Sequence, residues 1–127
     1  MSKTVLVVDD EPMTRTLLKL MLAPTNYEII EAGDGFEALE KIEQQLPDIM
    51  ILDVMMPHMD GFTLCQMLRK REETANTPII LLSAKTTPDA VQAGLDAGAD
   101  RYLTKPVSRK DLLESMTALL APLSNDA

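Results

Sequence analysis

Cysteine is almost missing from this sequence, and the shortage removes one structural device at once. With Cys65 alone among 127 residues, no disulfide can form within the chain. Cys65 falls in a helix-like segment and is read as a packing residue. Histidine is equally scarce: His58 has no neighbour at metal-ligand spacing and reads as a loop or surface residue. Basic residues are outnumbered, 12 Lys and Arg against 20 Asp and Glu, for a formal charge of −8. That balance argues against a nucleic-acid binder, whose phosphate contacts require clustered Lys and Arg. No apolar run approaches the roughly 20 residues that span a bilayer. Met1-Ser2-Lys3-Thr4 leads into a strand-like segment without the apolar stretch of an export signal, so membrane insertion is not expected and the cytoplasm is the expected compartment. Repeats, low-complexity tracts and interdomain linkers are absent too. One domain over residues 1–127 is expected, with a core at about 3–121 and a small, polar, frayed tail at 122–127.

What is present is a regular alternation. Thr4 to Val8 is an apolar, β-branched run ended by Asp9 and Asp10, which reads as a strand buried on both faces. Asp10-Glu11-Pro12 starts a helix with an acidic cap and a proline in its first turn. Met13, Leu17, Leu20 and Met21 recur at helical spacing and give it one apolar face, with Pro24 and Asn26 ending it. Tyr27 to Ala32 is a second strand, and Gly33-Asp34-Gly35 turns into a second helix, where Asp34 and Glu37 have capping-box spacing. Leu39 and Ile42 face inward there, and Pro47 closes it. The strand Ile49 to Asp53 follows, then a helix opened by Asp60-Gly61 with Phe62, Leu64, Cys65 and Leu68 as its apolar contacts, then a polar stretch from Arg69 to Asn76. Ile79 to Ser83 is a doubly buried strand ending in a hydroxyl. Thr87-Pro88 caps a fourth helix that Gly98 ends, Arg101 to Thr104 is a short fifth strand, and Ser108 with Asp111 caps a last helix whose Leu112, Leu113, Met116, Leu119 and Leu120 form a broad apolar face. Five strands alternating with five helices predict an α/β fold, a parallel sheet covered on both faces by right-handed crossovers; pattern alone leaves strand order open.

A parallel sheet puts all its C-terminal strand ends along one edge, so Asp9, Asp10, Asp53, Ser83 and Lys105 are delivered to one crevice. Singly, each is an ordinary cap or loop residue. Together, three carboxylates repel one another by several kcal/mol per pair at effective dielectrics of roughly 20, and something positive must offset that. Oxygen donors without soft ligands suit a hard divalent cation such as Mg²⁺. Lys105 adds an ammonium on a flexible stem suited to a phosphoryl oxygen. A carboxylate surrounded by metal, ammonium and hydroxyl fits phosphoryl transfer, with Asp53 as a nucleophile that forms an aspartyl phosphate while Ser83 hydrogen-bonds a phosphoryl oxygen. No general base is evident and none is required, because a carboxylate is ionised at neutral pH.

Three segments carry a family resemblance: Val7-Val8-Asp9-Asp10-Glu11-Pro12, Asp53-Val54-Met55-Met56-Pro57-His58-Met59-Asp60-Gly61, and Ala97-Gly98-Ala99-Asp100-Arg101-Tyr102-Leu103-Thr104-Lys105-Pro106. From about Lys3 to Leu120 the sequence resembles the receiver domain of two-component response regulators, as in the CheY-like single-domain proteins. The resemblance implies a flavodoxin-like, doubly wound sheet of order 2-1-3-4-5. It implies Asp53 as phosphoacceptor; Asp10 and Asp53 as direct Mg²⁺ ligands, Asp9 as a ligand through water, and the Met55 backbone carbonyl completing the protein's share; and a cis peptide before Pro106. Ser83 and Tyr102 would form the switch, although Tyr102 read from pattern alone is a half-buried aromatic on a short edge strand. The implied partners are a sensor histidine kinase or histidine phosphotransfer protein and a downstream effector or missing output domain. The output would be a changed surface around helix four, strand five and helix five, on a monomer or a phosphorylation-dependent dimer. Serine replaces the threonine common at position 83, and Met55 and Lys85 are expected to influence access of the hydrolytic water.

Two other readings remain open. One is a Mg²⁺-dependent phosphohydrolase with an aspartyl-phosphate intermediate, though such hydrolases commonly carry a general-acid Asp where this chain has Met55. The other is an interaction module without phosphorylation, against which the intact Asp9, Asp10, Asp53, Ser83 and Lys105 set stands. A switch that assists its own phosphorylation, and not an enzyme, is the expected class.

Overall fold

The computed structural model describes residues 3–121, so the expectation of a frayed tail lies outside the described residues. The chain runs β1 (Thr4–Val8), α1 (Pro12–Leu22), β2 (Glu28–Ala32), α2 (Gly35–Gln44), β3 (Ile49–Asp53), α3 (Gly61–Lys70), a 3-10 turn (Glu72–Thr74), β4 (Ile79–Ser83), α4 (Pro88–Asp96), β5 (Arg101–Thr104) and α5 (Arg109–Leu120). All strand pairs are parallel, in the order β2-β1-β3-β4-β5. This is the flavodoxin-like order, and the sequence left it open until the family resemblance supplied it.

Residue parity along the strands divides the core in two, because successive side chains point to opposite faces. Leu6, Val8, Met50, Leu52, Ile79 and Leu81 pack on one face with Ala38 and Ile42 of α2 and Leu64, Cys65 and Leu68 of α3. Val5, Val7, Ile49, Ile51, Ile80 and Leu82 pack on the other with Leu18 and Leu22 of α1 and Leu112 and Met116 of α5. β1, β3 and β4 are buried along their whole length, as their unbroken apolar runs require.

Helix starts follow local chemistry. Asp34, Asp60, Thr87 and Ser108 each accept a hydrogen bond from the backbone N–H three residues on. In the α2 cap Glu37 reaches back to the Gly33 N–H at 2.6 Å and not to that of Asp34, one residue off the expected box. α4 ends at Asp96 with Ala97 as its C-cap, followed by Gly98 at φ +112°.

Three expectations are corrected. Glu11 makes no side-chain cap on α1; the carboxylate bond nearby lies before the helix, Asp9 Oδ1 accepting from the Glu11 N–H at 2.9 Å. The apolar face read on α1 is mostly not the one that packs: Leu18 and Leu22 are buried, Met21 is half-buried against the core, and Met13, Leu17 and Leu20 are 82%, 50% and 65% exposed. β2 begins at Glu28, one residue after Tyr27.

Candidate functional site

β1 and β3 are neighbours whose following helices lie on opposite faces of the sheet, so a crevice opens beyond their C-terminal ends. Asp9 and Asp10 leave β1 there, and Asp53 ends β3. Asp9 and Asp53 are buried while Asp10 is exposed, and each of the three offers a carboxylate oxygen within 4.8 Å of the others. Lys105 arrives from beyond β5 after the cis Lys105-Pro106 bond and places Nζ 2.9 Å from Asp53 Oδ1 and 3.1 Å from Asp9 Oδ2. Its backbone N–H donates to the Ser83 carbonyl at 2.8 Å, which fastens this loop to the end of β4.

The β3–α3 loop closes tightly behind Asp53. A Cβ on Gly61 would stand 2.5 Å from the Asp53 carbonyl oxygen and 2.9 Å from Val54 Cα, so only glycine lets α3 start against that strand end. The Gly61 N–H donates to the Val54 carbonyl at 2.9 Å and fixes the approach. Met55 stands 56% exposed in this loop. His58 is exposed there at φ +71°, in the loop position its sequence context predicts.

Burial is the largest influence on the Asp53 carboxyl and pushes its pKa above the usual aspartate range. The Lys105 hydrogen bond and the Met55 amide pull it down without cancelling the rise, and the negative charge of Asp9 adds to it. For Lys105 the largest single influence, burial, pulls the ammonium down, but its hydrogen bonds to Asp53 and Asp9 and their charges together outweigh burial and leave the pKa raised. Cys65 is buried against the sheet, where desolvation raises its thiol to about 11, so it stays a neutral packing group.

Ser83 and Tyr102 are brought together through a third residue. The Lys85 N–H donates to Ser83 Oγ at 3.0 Å, and the Tyr102 hydroxyl donates to the Lys85 carbonyl at 2.9 Å. Ser83 is fully buried and Tyr102 half-buried on the edge strand β5. The Ser83 hydroxyl is engaged with its own loop and makes no hydrogen bond to Asp53 or Lys105 among the described residues.

Residue reading from sequence missed Arg15 and Glu31. Arg15 of α1 donates from Nη1 to the Asp9 carbonyl at 2.6 Å and from Nε to Glu31 Oε1 at 2.9 Å. The available signal was Glu31 itself, a carboxylate in the otherwise apolar core of Glu28-Ile29-Ile30-Glu31-Ala32. Such a residue asks for a cationic partner nearby.

The donor set fits a hard divalent cation: three converging carboxylates, two of them buried, with a single ammonium in contact. Among the described residues no helix is long and apolar enough to cross a membrane.

Known proteins match this arrangement. The family model described as "Response regulator receiver domain" matches residues 5–117. The alkaline phosphatase synthesis transcriptional regulatory protein PhoP of Bacillus subtilis is 42% identical over 120 residues, 94% of this chain and 49% of that protein. The chain therefore spans about half the length of the curated relatives it matches. Among solved structures, the chemotaxis protein CheY4 of Vibrio cholerae superposes with a TM-score of 0.89 at 35% identity, over 94% of this chain and all of that one. The receiver domain of sensor histidine kinase PA1611 from Pseudomonas aeruginosa, solved with a magnesium ion coordinated in its active-site cleft, superposes with a TM-score of 0.87 at 28% identity, over 96% of this chain and 100% of that one. With fold, strand-end acidic cluster and family model in agreement, this chain belongs to the response regulator receiver domain family.

Proposed function

We propose that this receiver accepts a phosphoryl group on Asp53 from a phosphohistidine on a sensor histidine kinase or phosphotransfer protein, and that the acylphosphate changes the surface around α4, β5 and α5. The observation that carries the reading is the Asp53 carboxylate, buried at a strand end with one oxygen 2.9 Å from an ammonium and two further carboxylates beside it. In the transfer an Asp53 oxygen forms a bond to phosphorus as the P–N bond to the donor imidazole breaks, and the bonding pair leaves with that nitrogen. Lys105 is placed to pair with an incoming phosphoryl oxygen, keeping its contact to Asp9 while it exchanges part of its contact to Asp53. Asp10 and Asp53 directly, Asp9 through water and the Met55 carbonyl would hold Mg²⁺. When bound, that ion neutralises charge on the transferring group.

A phosphoryl group carries about two negative charges and three acceptor oxygens, and it would draw the Ser83 hydroxyl from its Lys85 N–H toward itself. Lys85 is also where Tyr102 anchors its hydroxyl, so the same movement releases the ring. This supports Ser83 and Tyr102 as the switch pair. The donor's docking surface in this reading is the exposed α1 stripe Met13, Leu17 and Leu20. It continues through Leu17 into a groove of about 260 Å³ that Lys105, Pro106 and Val107 also line, and Lys105 links that groove to the site.

Acetyl phosphate with Mg²⁺, followed by intact mass measurement, tests the reading. One phosphoryl adduct on the parent and none on Asp53→Asn is the expected result. No adduct, or one that persists in the variant, contradicts it. Multiple turnover of an external phosphomonoester would instead favour a hydrolase.

A further inference from the structure

Asp9 is held at four points, one of them by a residue that phosphoryl transfer leaves without a task. Its N–H donates to the Ala32 carbonyl at 3.1 Å, its Oδ1 accepts from the Glu11 N–H at 2.9 Å, and its Oδ2 takes Lys105 at 3.1 Å. The fourth is the Asp9 carbonyl, which accepts from Arg15 Nη1 at 2.6 Å. The other arm of Arg15 is fixed by Glu31 at 2.9 Å, and the second oxygen of Glu31 takes Lys19 Nζ at 3.0 Å. The Arg15 side chain is only 18% exposed. Its planar fork therefore spans two acceptors in fixed directions, which the single ammonium of a lysine cannot reproduce. Asp10 is exposed, and the residues on either side of it, Asp9 and Glu11, are both pinned.

We propose that Arg15 is a positioning residue for the acidic site: by clamping the Asp9 carbonyl to Glu31 it fixes how the chain leaves β1, and so sets the spacing at which Asp9 and Asp10 present oxygens to a divalent cation. The inference rests on reading the Asp9, Asp10 and Asp53 cluster as a Mg²⁺ site.

Charge alone predicts the opposite sign. A guanidinium on Asp9 repels a cation bound beside it, so removing Arg15 would tighten the ion if electrostatics ruled. Loss of orientation weakens it instead, and partners that orient metal ligands are worth roughly 10–100-fold in affinity.

Calorimetric titration of Mg²⁺ into the full chain, paired with urea unfolding in EDTA, separates these. Arg15→Met is expected to bind Mg²⁺ roughly tenfold more weakly than the parent, and Arg15→Lys to weaken it similarly although the charge is retained. Unchanged or tighter Mg²⁺ binding by folded Arg15→Met overturns the inference, even where urea shows lost stability, because a merely structural brace lowers the unfolding midpoint and leaves the affinity of the folded protein alone. Should Arg15→Met fail to fold, Arg15→Lys decides by the same criterion. A parent that binds no Mg²⁺, or an Asp10→Asn variant that binds it as the parent does, overturns the metal-site reading and this inference with it.

Discussion

Asp53 and Lys105 lie 2.9 Å apart and act on stability in opposite directions. Burial gives folded Asp53 a pKa above its unfolded value, so the folded state holds this proton the more tightly. The stabilisation that follows is complete below about pH 4 and is lost as pH rises through the folded pKa. Once ionised, the buried carboxylate opposes folding. Asp53→Asn, whose amide oxygen can still accept from Lys105, is therefore expected to raise the urea midpoint at neutral pH in EDTA, with the gain over the parent shrinking on acidification; a variant less stable than the parent at neutral pH would contradict this. Lys105→Met does the reverse, leaving two buried carboxylates without their ammonium. A loss of about 2 kcal/mol is expected, below the roughly 3–5 for a fully buried pair because the Lys105 side chain is 24% exposed. Added Mg²⁺ should recover part of that loss by binding the folded state, and a loss indifferent to Mg²⁺ would argue against ion binding at this cluster. These residues were legible in the sequence for one reason: each follows a largely apolar strand, and a parallel sheet gathers such ends. Arg15 was not, because its contact to Asp9 goes to a backbone carbonyl, which leaves no mark in composition or spacing; only its other partner, Glu31, left a trace.

At the scale of elements, strands and caps were legible and facing was not. β1, β3 and β4 are unbroken apolar runs, and capping signals at Asp34, Asp60, Thr87 and Ser108 each found their backbone donor. α1 carries apolar residues on more than one side: Met13, Leu17 and Leu20 keep helical spacing, and so do Leu18 and Leu22. Periodicity cannot choose between two such stripes; packing against the sheet and α5 does. The Arg69 to Asn76 stretch was legible only as polar, which says nothing of where its side chains go. Arg69 donates to the carbonyls of Gly98 at 2.9 Å, Thr77 at 2.7 Å and Thr74 at 3.1 Å, and to Asp100 Oδ2 at 2.9 Å. The same Asp100 oxygen accepts from the Ile79 N–H at 2.8 Å. One side chain thus ties the end of α3, the 3-10 turn, the entry to β4 and the end of α4. Arg69→Met strands several part-buried acceptors and is expected to lose about 3 kcal/mol in urea unfolding, with Asp100→Asn losing less because an amide oxygen still accepts. An Arg69→Met protein as stable as the parent would refute this account of the clasp.

At the scale of the molecule, the misjudged face of α1 becomes informative. Two reasons lead an apolar stripe to stay in water: packing that has no room for it, or a partner that covers it. Met13, Leu17 and Leu20 lie on one side of a helix whose first residue follows Glu11 and the metal-site candidates, and Leu17 also lines the groove that ends at Lys105. In the proposed function a phosphohistidine reaches Asp53 from outside, and the protein that carries it would rest along this rim. Acetyl phosphate reaches the same carboxylate without any such surface. Leu17→Asp is therefore expected to slow phosphoryl transfer from a histidine kinase or phosphotransfer protein by about tenfold or more, the scale of a central interface contact, while leaving labelling by acetyl phosphate unchanged. Folding should be little affected, since Leu17 is already half exposed. Equal losses with both donors would place the defect in the site itself and remove α1 as the docking surface; full activity with the protein donor would leave the exposed stripe without that role.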